Sequence, residues 1–210
     1  MTDLWTYETE ARAAGFSLVC GVDEAGAGPL MGPVYAAAVI LLESCALPGL
    51  NDSKKLTEKK REALFPLIQQ QALAWSVASV SAREIDDTDI LSARMKAMQL
   101  AIDGLSQKPD LALIDGNRDR GRCAAILTPH RCLIGGDGLS ASIAAASVLA
   151  KVSRDRYVTD VLDREYPQYR FAQHKGYATA LHYAMLDQYG PCPEHRLTFL
   201  KKWRQGREQP

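Results

Sequence analysis

Four acidic residues lie where an apolar segment of the sequence stops and glycine begins. Asp23 and Glu24 follow the apolar run that starts at Leu18, Asp115 ends the run Leu-Ala-Leu-Ile-Asp, and Asp137 lies within Gly-Gly-Asp-Gly. Each acid alone would be an ordinary turn residue, but together they suggest a cluster. Hard divalent cations prefer oxygen ligands, and two such ions ~4 Å apart can activate a water and stabilise a leaving alkoxide. The pattern therefore predicts a divalent-cation site suited to phosphodiester hydrolysis.

Other residues offer weaker metal-binding patterns. Glu84, Asp86, Asp87 and Asp89 form the densest acidic group, but they immediately precede a predicted helix, where the helix dipole favours negative charge. The four histidines show no zinc-protease spacing, and none of the five cysteines belongs to a C-x-x-C pair. We therefore interpret the group at 84–89 as a helix start and the histidines as polar or capping residues, and we expect no zinc site or disulfide framework.

Composition and charge are those of an ordinary globular protein. The 210 residues are 47% hydrophobic, and 25 Lys and Arg balance 25 Asp and Glu. A zero net charge argues against a global field that attracts nucleic acid, although local basic clusters occur at 53–61, 117–131 and 200–208. No apolar run approaches ~18 residues, and no hydrophobic segment follows a basic start. We expect a cytoplasmic protein without a membrane partner.

A sheet must bring these distant acids to one edge. The apolar runs at 18–22 and 34–42, together with Ala74–Ser81, predict an antiparallel meander of three strands. Leu111–Asp115 is continuously apolar, as expected for a strand covered on both faces, and we place it parallel to the first strand. A fifth strand is expected within Ala124–Ile134. Because neighbouring strands lie ~4.8 Å apart, Asp23 and Asp115 could then converge on one cation.

Helices are expected to flank this sheet. Their predicted bounds are about Leu4–Ala14, Thr57–Gln71, Leu91–Leu105, Leu139–Glu165, Thr179–Gln188 and His195–Arg204. Thr57 can cap the second helix, and Pro66 should kink or interrupt it. The fourth helix begins with small residues, so it can approach another element closely.

Five segments of the sequence resemble bacterial ribonuclease HII. They are GVDEAGAGPLMGPV, LNDSKKLT, LIDGN, GGD followed by SIAAASVLAKVSRD, and FAQHKGY, and they run in order from about Val19 to Arg196. The resemblance implies an α/β protein with an RNase H-like fold, in which helices flank a five-stranded mixed sheet. We expect the catalytic domain to span residues 1–166, a C-terminal helical extension over 167–210 to pack on it, and the protein to be a monomer.

The resemblance also implies an activity and a set of site residues. The family comprises endonucleases that depend on Mg²⁺ or Mn²⁺. They cut the RNA strand of RNA–DNA hybrids and incise 5′ of single ribonucleotides embedded in duplex DNA, leaving 5′-phosphate and 3′-hydroxyl ends. The four catalytic metal ligands of the family fall on Asp23, Glu24, Asp115 and Asp137.

Family contacts to the substrate fall on a second set of residues. The turn Gly26-Ala27-Gly28 would approach the ribose 2′-hydroxyl, which is the group that distinguishes RNA from DNA. Ser53 and Lys54 match a loop that contacts phosphate. Tyr177 matches a tyrosine that packs on the sugar at the RNA–DNA junction.

Two positions depart from the family pattern. Ala27 replaces the arginine of the usual Gly-Arg-Gly, and Gly135 replaces the lysine that usually precedes Gly-Asp. A charge-assisted contact to phosphate is worth roughly 1.5–3 kcal/mol, so each loss could lower activity about 10–100-fold. Because all four acids are retained, we expect an active but weakened enzyme, unless Arg118, Arg120 or Lys151 compensates.

Two alternatives to this function stay open. The first is a different metal-dependent nuclease of the same fold, resolvase-like or integrase-like, which would cut an all-DNA duplex equally well. The second is a non-catalytic protein that binds hybrids without metal-dependent turnover, since Ala27 and Gly135 remove two cations.

Overall fold

A five-stranded mixed sheet lies at the centre of the protein, whose computed structural model describes residues 4–43 and 45–206. The strands are β1 (Val19–Ala25), β2 (Val34–Ile40), β3 (Ala74–Val80), β4 (Leu111–Asp115) and β5 (His130–Leu133). Their order across the sheet is β3-β2-β1-β4-β5. The pairs β1–β2 and β2–β3 are antiparallel, whereas β1–β4 and β4–β5 are parallel. The predicted meander and the parallel placement of the fourth strand are confirmed.

Helices cover both faces of the sheet. They are α1 (Thr6–Ala13), α2 (Glu58–Gln71), α3 (Ala82–Asp87), α4 (Ile90–Asp103), α5 (Ala141–Tyr157), α6 (Asp163–Glu165), α7 (Phe171–His174), α8 (Ala180–Tyr189) and α9 (Lys201–Gln205). The apolar stripe of α4 packs on one face of the sheet, and α2 and α5 pack on the other. Among residues 4–43 and 45–206, no helix has the length and apolar character needed to cross a membrane.

The close packing of α5 on β1 is possible because Gly21 has no side chain. A Cβ atom at this position would lie 2.1 Å from the backbone nitrogen of Ile143. The small residues at the start of α5 therefore bring the helix against the strand that carries two of the predicted acids, as the sequence indicates.

Three predictions about helices need correction. The helix that contains Pro66 is not interrupted but runs from Glu58 to Gln71, and Leu64, Phe65 and Ile68 around the proline are buried in the core with α5. The predicted helix over 139–165 leaves α-helical geometry after Tyr157, where a π-helical turn, Val158–Leu162, precedes α6.

The last predicted helix begins at Lys201 rather than at His195. His195 instead forms a bridge with Met31, and the backbone nitrogen of Arg196 donates to the carbonyl of Leu30 at 2.8 Å. These residues pair with a distant loop, so their backbone is not available for a helix.

The predicted cap at Thr57 is confirmed, and Asp89 is found to cap the next long helix. The Thr57 hydroxyl accepts a hydrogen bond from the Lys60 backbone nitrogen at the start of α2. Asp89 likewise accepts from the Ser92 nitrogen at 2.8 Å and begins α4. The other acids of the group at 84–89 belong to the separate short helix α3, which the sequence did not distinguish from α4.

Candidate metal centre

Three of the four predicted acids meet at one edge of the sheet. Asp23 and Asp115 lie at the carboxyl ends of the parallel strands β1 and β4, which pair Val22 with Ile114 immediately before them. Asp137 lies in a 3₁₀ turn shortly after β5, and one carboxylate oxygen from each of the three residues falls within 4.8 Å of the others. The structure thus brings together the side chains that the predicted site requires, and their role as metal ligands stays a prediction.

The turn that carries Asp137 is attached to Asp115. The Gly136 backbone nitrogen donates to Asp115 Oδ1 at 2.7 Å. The turn itself is closed by hydrogen bonds from the Gly138 and Leu139 nitrogens to the carbonyls of Gly135 and Gly136, respectively. A backbone donor of the turn that carries Asp137 therefore holds the carboxylate of Asp115 beside that turn.

Glu24 lies outside this group of three and binds an arginine. Its Oε1 is 2.6 Å from the Nη2 of Arg94 on α4. Glu24 Oε2 is buried and has no hydrogen-bond partner among the residues that the structure describes. The sequence reasoning missed Arg94, although its position three residues after Leu91 and four before Met98 puts a charge on the apolar stripe of its helix.

Burial and mutual repulsion control the charge of these acids. Burial raises the pKa of Asp23 well above its ordinary value, and the charges of Glu24 and Asp115 raise it further. Burial also raises the pKa of Glu24, even though Arg94 acts in the opposite direction. Three hard oxygen donors held this close, with the unpartnered Oε2 of Glu24 buried on the same strand as Asp23, fit a divalent cation, because a cation would offset the repulsion.

Lys54 is the predicted substrate-binding residue that touches the acidic cluster. Its Nζ lies 3.3 Å from Asp137 Oδ2, while 77% of its side chain stays exposed. Partial burial lowers the pKa of Lys54, but the carboxylates of Asp137 and Asp23 outweigh this effect and the net shift is upward. Lys54 is thus a stable cation that can face a phosphate beside the acids.

Ser53 has a different environment from the one that the sequence suggested. It is 4% exposed, and its hydroxyl pairs with the Ser147 hydroxyl at 2.5 Å. Ser147 in turn forms a hydrogen bond with Asp23, which offsets part of the rise in the pKa of that carboxyl. The hydroxyl of Ser53 therefore supports Asp23 through Ser147 instead of projecting freely towards a ligand.

A cavity of about 220 Å³ joins the acids to the predicted substrate contacts. Its lining includes Asp23, Glu24, Asp115, Gly26, Ala27, Gly28, Ser53, Lys54, Lys151 and Tyr177. The Lys151 ammonium lies 5.8 Å from the centre of the Tyr177 ring and 2.7 Å from Asp155 Oδ1. Of the three residues considered as replacements for the missing cations, Lys151 is the one that lines this cavity.

Two buried arginines shape the loop that follows Glu24. Arg196 donates from Nη2 to the Gly26 carbonyl at 2.7 Å and from Nη1 to the carbonyls of Ala27 at 3.1 Å and Pro29 at 2.9 Å. Arg154 donates to the carbonyls of residues 31, 33 and 175. Both arginines are 0% exposed. Sequence reasoning missed both, because their partners are main-chain oxygens, which leave no pattern of residue types.

Three buried histidines lie beneath the segment that carries Tyr177. His182 Nδ1 is 3.0 Å from the Tyr177 carbonyl, His182 Nε2 is 3.0 Å from His195 Nε2, and His174 stacks on His182. Burial lowers the pKa of His182 and of His195 to about 4. These rings are therefore neutral near pH 7 and act as structural residues.

Acid is expected to destabilise the protein through these histidines. Because their pKa is lower in the folded chain than the ordinary 6.5, they contribute stability above pH 6.5, and this contribution is lost as the pH falls towards 4. Urea unfolding followed at several pH values should show this loss. The raised pKa values of the buried carboxylates have the opposite effect on stability as the pH falls. The variant His182→Gln separates the two effects, because it lacks one of these histidines and should lose less stability in acid than the original protein. An equal acid dependence in both proteins would contradict the assignment.

The chain is similar to known proteins in both sequence and fold. A family model described as Ribonuclease HII matches residues 20–204. The ribonuclease HII of Vibrio vulnificus (strain YJ016) is 51% identical over 185 residues, which cover 88% of this chain and 87% of that protein. The ribonuclease H2 structure from Pyrococcus horikoshii OT3 superposes with a TM-score of 0.74 at 25% identity, covering 92% of this chain and 100% of that one. Bst-RNase HIII, solved in complex with Mn²⁺, shares the fold with a TM-score of 0.59 at 20% identity, over 95% of this chain and 73% of that one.

Proposed function

The chain belongs to the ribonuclease HII family, and on that premise we propose that it cuts the RNA strand of RNA–DNA hybrids and incises duplex DNA 5′ of a single embedded ribonucleotide. The predicted family, RNase H-like fold and nuclease class are confirmed. The observation that carries the finer proposal is the meeting of Asp23, Asp115 and Asp137 beside a cavity that the turn Gly26-Ala27-Gly28 also lines.

The acidic cluster provides the catalytic part of this proposal. Asp23, Asp115, Asp137 and Glu24 would hold two divalent cations, Mg²⁺ or Mn²⁺. When bound, such ions supply an activated water and stabilise the leaving 3′-oxygen, which yields 5′-phosphate and 3′-hydroxyl ends. Ser147 and Arg94 orient two of these carboxylates, and Lys54 offsets the charge of a third.

The remaining cavity residues provide substrate recognition. The turn at 26–28 would present main-chain groups to the ribose 2′-hydroxyl, the feature that marks RNA. Tyr177, which is 43% exposed, would pack on the sugar at the RNA–DNA junction. Lys54 would contact a phosphate, with Ser53 fixing the loop beside it.

Cleavage of matched duplexes tests the proposal. With Mg²⁺ or Mn²⁺, a DNA duplex with one ribonucleotide and an RNA–DNA hybrid should both be cut, and the same duplex without ribonucleotides should stay intact. Equal cutting of the all-DNA duplex would favour a different nuclease of the same fold. Binding of the hybrid without metal-dependent turnover would instead identify a hybrid-binding protein.

Restoring the missing arginine is expected to raise activity. In the variant Ala27→Arg, a new guanidinium at the cavity that Lys54 also lines would make a charge-assisted contact to phosphate, so kcat/KM on the singly substituted duplex should rise about 10–100-fold. Ala27→Met is the matched control, since it adds length without charge. Gly135→Lys is a less direct test, because Gly135 has φ +68°, which most side chains avoid. Unchanged kcat/KM in Ala27→Arg would contradict the prediction and would shift attention to Lys151.

Three further expectations stay predictions. They are a monomeric state, a cytoplasmic location, and a boundary between catalytic domain and extension at residues 166 and 167. Light scattering from the purified protein tests the first directly.

A further inference from the structure

A buried carboxylate that precedes the family match contacts the helix that follows Asp137. Glu8 of α1 is 0% exposed, and the match to the family begins only at residue 20. Glu8 Oε1 accepts hydrogen bonds from the Ser140 hydroxyl at 2.6 Å and from the Ser142 backbone nitrogen at 2.9 Å. Burial of a carboxylate is costly unless it is hydrogen-bonded, and these two contacts satisfy Oε1, whereas Oε2 is buried without a hydrogen-bond partner among the described residues.

Further contacts attach α1 to the same region. The Ala141 backbone nitrogen donates to the Leu4 carbonyl at 2.8 Å. On the exposed side of α1, Glu10 Oε2 lies 3.0 Å from the Nη1 of Arg131 in β5. The N-terminal helix is therefore docked against both elements that flank the turn of Asp137.

Ser140 connects Glu8 to that turn. Its backbone nitrogen donates to the Gly136 carbonyl at 2.8 Å, and its hydroxyl accepts from the Ile143 nitrogen at 3.2 Å as the cap of α5. Because the hydroxyl accepts from the helix, it donates its proton to Glu8. A negative charge at this helix start is also favoured by the helix dipole. Glu8 thus holds Ser140, the residue that connects the turn of Asp137 to α5.

We propose that Glu8 is a positioning residue for Asp137. By holding Ser140 and the first turn of α5, it sets where the Asp137 carboxylate lies relative to Asp23 and Asp115, and thereby sets the affinity of the cluster for a divalent cation. This role rests on the proposed function, in which the same three carboxylates hold the cation. It assigns to α1, which lies before the family match, a part in the site.

Mn²⁺ binding to the purified full chain tests this role without any substrate. Electron paramagnetic resonance gives the affinity for Glu8→Ala, Glu8→Gln and the control Thr9→Ala, which shortens an exposed side chain of the same helix. Glu8→Ala should bind Mn²⁺ about 10–100-fold more weakly, as is typical when a partner that orients a ligand is lost. Glu8→Gln should keep most of the affinity, because its amide oxygen can accept the same two hydrogen bonds, and Thr9→Ala should match the original protein.

Two results would overturn the proposal. One is an unchanged Mn²⁺ affinity in folded Glu8→Ala. The other is a loss in Glu8→Gln as large as in Glu8→Ala, which would attribute the effect to charge alone. If Glu8→Ala does not fold, Ser140→Ala decides, since it removes the linking hydroxyl and should also weaken Mn²⁺ binding; original affinity in that variant would refute the role.

The same measurements separate this role from the proposed function. If the original protein binds Mn²⁺ but cuts no ribonucleotide-containing duplex, the proposed function fails while the comparison of Glu8 variants still stands. If the original protein cuts as proposed and Glu8→Ala binds Mn²⁺ normally, only the role of Glu8 fails.

Discussion

Replacing Asp23 with asparagine is expected to lower kcat/KM on a singly ribo-substituted duplex by about 1,000-fold. Asp23 lies 3% exposed at the centre of the acidic cluster, and the neutral amide keeps its shape while removing one charge that a cation requires. Charge stabilisation by a bound cation is worth several kcal/mol in the transition state, and each 1.36 kcal/mol corresponds to a tenfold change in rate.

The same variant should be at least as stable as the original protein. Burial, Glu24 and Asp115 all raise the pKa of Asp23, which means that the folded protein disfavours the ionised form. Asp23→Asn removes this repulsion, so its unfolding midpoint in metal-free buffer should not fall. Asp87→Asn is the control, since 68% of that side chain is exposed and it belongs to the other acidic group. Activity retained in Asp23→Asn, or lost equally in the control, would argue against the metal assignment.

Replacing Arg196 with methionine is expected to cost about 3–5 kcal/mol of the free energy of unfolding. Its guanidinium is buried and donates to four carbonyls of one loop, those of residues 26, 27, 29 and 32. Each buried carbonyl that is left without a donor costs roughly 1–3 kcal/mol of stability. The methionine also removes the cost of burying a charge, which offsets part of this loss. Urea unfolding measures the loss, and Arg204→Met, which removes an exposed arginine of α9, should show little change.

Arg196 should matter for activity as well as for stability. The loop that it holds carries the turn proposed to recognise the ribose 2′-hydroxyl, and a small misplacement of a positioning group can lower a rate about 100-fold. Folded Arg196→Met protein should therefore lose kcat/KM on the ribonucleotide-containing duplex at temperatures well below its unfolding midpoint. Full activity under those conditions would show that the loop keeps its shape without this arginine.

Local patterns in the sequence were sufficient for the sheet and for the positions of the acids. The continuous apolar run of β4 indicated a covered strand, and the parallel pairing of β1 with β4 then required Asp23 and Asp115 to lie side by side. Short-range rules also identified the cap Thr57, because a cap acts on a backbone nitrogen only three residues away.

Tertiary structure alone decided what surrounds those acids. The contact of Glu8 with Ser140 across 132 residues and the bond from Arg196 to Gly26 across 170 residues leave no local pattern, and the position of Arg94 on an apolar stripe does not indicate that Glu24 is its partner. The late start of α9 has a related origin, since residues 195 and 196 pair with the loop near Met31. Local periodicity determines which segments form strands and helices, whereas burial of a charged side chain depends on distant backbone groups that only the folded chain brings within hydrogen-bonding distance.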